Sequence, residues 1–103
     1  MAVILQVDFP SQGPFQDEMT LAFKTLAESI NQETGMLWKI WTENSETKEV
    51  GGIYLFDTQE NAQKYLNMHT ARLEGFGLSS IRSKIFDINN PLSILNHAIF
   101  LPE

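Results

Sequence analysis

The sequence predicts an α+β domain with the element order β-α-β-β-α-β. Three observations predict it: period-two alternation near both ends of the chain, two amphipathic stretches of helical period around a central hairpin, and Gly, Pro and Asn breakers between these segments.

Each element has its own signal. In residues 2–9, Val3, Leu5, Val7 and Phe9 alternate with Ala2, Ile4, Gln6 and Asp8, which marks a strand. Pro10 and the Ser11-Gln12-Gly13-Pro14 cluster end it. A helix over residues 14–32 follows, with Pro14 in its first turn, Asp17 and Glu18 where the helix dipole favours anions, and an apolar stripe of Phe15, Met19, Ala22, Phe23, Leu26 and Ile30. Gly35 is placed to stop it in a left-handed cap. Met36–Thr42 and Val50–Phe56 are aromatic and β-prone, and the polar Glu43–Glu49 between them makes a hairpin. Asp57 or Thr58 caps a second helix over 59–73, the Asp57/Glu60 spacing resembling a capping box. Its stripe is Ala62, Tyr65, Leu66, His69 and Leu73, and Gly75 and Gly77 end it. Ser80–Ile88 alternates again, Asn89-Asn90-Pro91 reads as a turn, and the tail from Leu92 to Leu101 is too apolar for a solvated end.

Right-handed crossovers then place both helices on one face of a four-stranded sheet, the ferredoxin-like arrangement, within one domain over 1–103. The second face is left bare. Apolar residues occur on both parities of the strands, so that face also wants cover, and a second copy of the chain is the simplest source. The apolar tail is a segment that would cross to that copy.

Composition narrows the function. A net charge of −6 with scattered cations gives no basic stripe, which disfavours nucleic acid and anionic membranes as partners. No apolar run reaches the roughly 20 residues a bilayer span needs, and the N-terminus lacks a signal-peptide pattern, so the cytoplasm is the expected location. The absence of cysteine removes disulfides, thiolate metal sites and a cysteine nucleophile. No phosphate-binding glycine loop, dinucleotide fingerprint, nucleophile elbow or zinc motif is present, and no cofactor or metal is expected.

A few residues could carry chemistry. His69, on the inner stripe of the second helix, is either a hydrogen-bonded core histidine or a pocket group that moves a proton on a ligand. Arg72 lies on nearly the same face, as an anion partner or as cover for the core edge. Trp38 and Trp41 are three apart in a strand and point to opposite faces, so one is core and the other faces an interface or a pocket. Tyr54 and Tyr65 bring hydroxyls that need partners if buried, and Asn31 sits near the end of the first helix, within reach of the same cleft. Gly51-Gly52 inside a strand points to a bulge, a tight strand crossing or the close approach of a ligand.

Several blocks resemble the YdhR-type mono-oxygenase family. They are Glu28–Glu33 with Gly35, Leu37-Trp38-Lys39 and Trp41-Thr42-Glu43; Gly51–Phe56; His69-Thr70-Ala71-Arg72-Leu73; and Lys84–Asn89 with Pro91-Leu92-Ser93. The resemblance runs over nearly the whole chain. It implies a dimeric α+β barrel, in which two such sheets pack face to face. It also implies a cofactor-independent mono-oxygenase acting on a small aromatic or polycyclic phenolic compound in an apolar pocket. Within that frame His69 is the proton acceptor, Arg72 the anion partner, and Trp38, Trp41, Tyr54, Tyr65 and Asn31 the substrate-binding set. A non-catalytic small-molecule-binding dimer is the alternative, followed by a haem-degrading enzyme.

Overall fold

The computed structural model describes residues 1–98 and Leu101. Its elements are β1 (Val3–Pro10), α1 (Gln16–Ile30), β2 (Met36–Asn44), β3 (Glu49–Phe56), α2 (Gln59–Gly75), β4 (Arg82–Asp87) and α3 (Asn90–Leu95). The sheet order is β2-β3-β1-β4, and every neighbouring pair is antiparallel. This is the expected ferredoxin-like α+β arrangement.

Strand parity decides what each face carries. Val3, Leu5, Val7 and Phe9 pair with Phe56, Tyr54, Gly52 and Val50, and all face α1 and α2. Met19 and Ile30 of α1, with Ala62, Tyr65 and Leu73 of α2, complete that buried core. The opposite parity places Ile4, Trp38, Ile40, Ile53 and Phe86 on the other face, where Ile40 and Phe86 are 48% and 45% exposed.

The boundaries depart from the sequence reading in physically traceable ways. Helix α1 starts at Gln16 rather than Pro14, because its N-cap is Phe15, whose side chain accepts no hydrogen bond. The first turn is capped from afar: Glu43 Oε1 of β2 accepts the Gln16 N–H at 2.6 Å. Ala22 is exposed and falls outside the α1 stripe. Thr58, not Asp57, is the N-cap of α2, accepting the Asn61 N–H at 3.1 Å, while Asp57 Oδ1 accepts from the Asn61 side chain at 2.8 Å. Gly35 ends the α1 connection at φ +80, and a Cβ there would lie 2.3 Å from Asp57 Oδ1. Asn89-Asn90-Pro91, read as a turn, instead opens α3, with Asn89 Oδ1 accepting the Leu92 N–H at 3.1 Å. The expected crossing of the tail runs through residues 99 and 100, outside the described residues.

Candidate functional site

A cavity of about 370 Å³ lies between the sheet and the two long helices. Its walls are apolar and aromatic: Val7 and Phe9 from β1, Met19, Phe23 and Leu26 from α1, Trp41 from β2 and Leu73 from α2. Four polar side chains reach it, Ser11 from the loop after β1 and Lys39, Tyr54 and His69. Convergent polar groups in an apolar recess are the usual form of a small-molecule site.

Parity builds the floor. Lys39 and Trp41 are two apart on β2 and share the helix-facing side, opposite Tyr54 and Gly52 of β3. The Lys39 Nζ sits 3.4 Å from the centroid of the Trp41 ring and 4.6 Å from that of Tyr54. Phe23 of α1 stacks on Trp41, with ring centroids 6.1 Å apart. Gly52 makes this possible, since a Cβ there would come within 2.6 Å of Lys39 Cε. Gly51 has a different reason: a Cβ would lie 2.0 Å from the Val7 carbonyl oxygen, so it permits the close approach of the paired strands β1 and β3.

The α2 stripe supplies the roof. Tyr65 and His69, one turn apart, stack with centroids 5.1 Å apart, and the edge of His69 meets Tyr54 at 6.4 Å. The Tyr54 and Tyr65 hydroxyls hydrogen-bond each other at 3.1 Å, which satisfies both in the core. Arg72 Nη2 donates to His69 Nδ1 at 2.9 Å, so the neutral ring carries its proton on Nε2. Arg72 Nε is buried with no hydrogen-bond partner among the described residues.

Electrostatics set this group apart. Among the described residues neither Lys39 nor Arg72 forms an ion pair, whereas Arg82 binds Asp8 and Glu49 and Lys64 binds Glu60. Burial, and then the positive charge of Arg72, lower the Lys39 amine to about 7. Burial, then Arg72 and Lys39, lower His69 to about 3, so the imidazole is neutral. Burial raises both tyrosines above the ordinary phenol value, and they stay protonated. The cavity is therefore lined by an amine poised between charge states, with the Arg72 guanidinium behind His69 and no carboxylate among its lining residues.

Of the residues singled out in the sequence, Trp41, Tyr54 and His69 line the cavity, and Tyr65 and Arg72 stand behind them, in contact with Tyr54 and His69. Trp38 stands on the opposite face of β2, paired with Leu55, and Asn31 is exposed at the C-cap of α1; neither lines the cavity. Lys39 was not anticipated. His97 is exposed beyond α3, and the described residues contain no cluster of three His, Asp or Glu able to hold a metal ion.

The family model "Putative mono-oxygenase ydhR" matches residues 4–99. The chain belongs to the ydhR family. Among solved structures it is similar to a variant of SnoaB, a cofactor-independent oxygenase from Streptomyces nogalater. That match has TM-score 0.60 and 16% identity over 85% of this chain and 93% of the other. It is also similar to a putative antibiotic biosynthesis monooxygenase from Deinococcus radiodurans, with TM-score 0.56 and 12% identity over 86% and 93%. At these identities the structural likeness speaks to the fold. No curated protein matches the chain. No helix among the described residues is long and apolar enough to cross a membrane.

Proposed function

We propose that this ydhR-family member is a homodimeric mono-oxygenase that oxidises a small phenolic aromatic in the cavity beneath α1 and α2, using oxygen directly. The observation that carries this reading is the Lys39 amine, which lines an aromatic-walled cavity without a carboxylate partner among the described residues and is backed by the Arg72 guanidinium behind His69. A bound phenolate supplies the missing negative charge, and the rings of Trp41, Phe23 and Tyr54 supply its stacking surface.

The chemistry follows from the charge states. The neutral Lys39 amine takes the phenolic proton and becomes an ammonium beside the phenolate it has made. His69, with Arg72 behind it, donates to the same anion, and the apolar walls keep water from competing for it. The electron-rich ring then gives electrons to oxygen. One oxygen atom enters the ring and the other leaves as water, so phenol and dioxygen become quinone and water with no outside reductant. The sequence resemblance cast His69 as the proton acceptor. With Nδ1 occupied by Arg72 and its basicity depressed, His69 is better suited to donate from Nε2, and Lys39 takes the base role.

The test is oxygen uptake with 1-naphthol as probe, quinone being followed by absorbance. One oxygen consumed per quinone is expected, and Lys39→Met should lower kcat by about a hundredfold or more, the usual worth of a positioned base. Saturable 1-naphthol binding without oxygen uptake would replace this reading with the non-catalytic binder.

A further inference from the structure

We propose that Lys39 captures aromatic aldehydes as an imine inside the cavity, a carbonyl-binding activity separate from oxygenation. Capture needs a primary amine that is free to react, space beside it, a stacking surface for the aryl group and a donor for the carbonyl oxygen. The cavity has all four. The Lys39 Nζ is held 3.4 Å from the Trp41 ring centroid and is tied to no carboxylate among the described residues. The missing side chain at Gly52 leaves the room that its stem occupies. Trp41 and Phe23 form the aromatic wall, and the neutral His69, held at Nδ1 by Arg72, brings a ring N–H donor to the same recess.

The remaining lysines, Lys24, Lys48, Lys64 and Lys84, are all exposed. The titratable groups packed near Lys39 are Arg72 and the neutral His69 of α2 and the protonated Tyr54 of β3; the helix-facing side of β1 and the cavity face of α1 bring only apolar side chains. Lys39 is thus held toward the free amine, while an ordinary exposed lysine near pH 7 is unprotonated only to about one part in a thousand or less.

The step balances without a co-reactant. The Nζ lone pair forms the C–N bond, the carbonyl π pair moves to oxygen, and that oxygen takes a proton from nitrogen. The carbinolamine then loses water as the C=N bond forms. An apolar cavity that excludes water resists the reverse hydrolysis.

The experiment is reductive trapping of the full chain with benzaldehyde and cyanoborohydride near pH 7, without oxygen, followed by intact mass and peptide mapping. A benzyl group on the Lys39 peptide is expected, at least about tenfold over each exposed lysine, the free-amine advantage being partly offset by lower nucleophilicity. Lys39→Arg keeps a cation over Trp41 but has no amine to trap, so the preferred label should vanish while the thermal melt stays sigmoidal. Should that variant fail to fold, the wild-type chain in denaturing urea serves instead and should lose the preference. Labelling of Lys39 no greater than that of the exposed lysines overturns the proposal. A chain that traps benzaldehyde yet consumes no oxygen with 1-naphthol keeps this inference and loses the oxygenase.

Discussion

Lys39 changes charge most readily of the groups at the cavity, and that leaves a mark on stability. Its folded value, about 7, lies below the unfolded value near 10.5. Between these two the unfolded chain binds a proton that the folded chain does not, so stability rises with pH across that window. Below about 7 both states are protonated, and the folded protein bears the full cost of a half-buried cation. Urea melts from pH 7 to 9.5 should therefore show a rising midpoint, and Lys39→Met should flatten the rise and be the more stable protein at pH 7. A wild-type midpoint that is level or falls across this range contradicts the charge assignment. His69 acts with the same sign at lower pH, its contribution being lost as pH falls from 6.5 toward about 3. The two differ in how far the sequence disclosed them. His69 and Tyr65 share a helical stripe, so their meeting was legible from spacing alone. Lys39 was not, because one charge in an aromatic strand reads as a solvent-facing residue. The signal that would have found it was its parity with Trp41, set against a Gly-Gly pair in the facing strand.

At the scale of elements, β3 carries the contrast that separates architecture from site. Gly51 and Gly52 are neighbours, yet their missing side chains serve different ends. A methyl at 51 would run into the backbone of β1, which cannot yield without breaking the β1–β3 ladder. A methyl at 52 would meet the stem of Lys39, a flexible side chain that can move. Gly51→Ala should therefore cost about 3 kcal/mol or more, a fall in Tm on the order of 15 °C. Gly52→Ala should cost about 1 kcal/mol or less while lowering naphthol oxidation by roughly tenfold, since it moves the amine off Trp41. Equal melting temperatures for the two variants would show that the approach of β1 to β3 at Gly51 is looser than described. The strands and both long helices were legible because each repeats its own period. The start of α1 was not, because Glu43 reaches it from 27 residues away in the chain. Helix α3 was missed because Asn-Asn-Pro serves a helix start as well as a turn, and only the Asn89 hydrogen bond to Leu92 distinguishes them.

For the whole molecule, the sheet poses an unsolved burial problem. One face packs against α1 and α2. On the other, Ile40 and Phe86 stand about half exposed beside Ile4, Ile53 and Trp38. The rim carries both signs of charge, with Arg82 bound to Asp8 and Glu49 and Lys84 nearby, so a second copy meets no uniform field of its own sign. Two-fold pairing through this face would remove both apolar patches from water together. Such an interface is self-complementary, so every substitution enters it twice. Ile40→Glu would bury two carboxylates without partners, at a cost of about 4 kcal/mol or more, which weakens dimerisation by roughly a thousandfold. The monomer should keep its fold, because Ile40 is 48% exposed within one chain and helps little to hold it together. Sedimentation at micromolar concentration should show a dimer for the wild type and a folded monomer for the variant. A wild-type monomer under those conditions would remove the second copy as the cover for this face. The cavity lies on the helix side of the sheet, so its carbonyl trapping should survive in the Ile40→Glu monomer, which separates the stability of the assembly from the chemistry of the site.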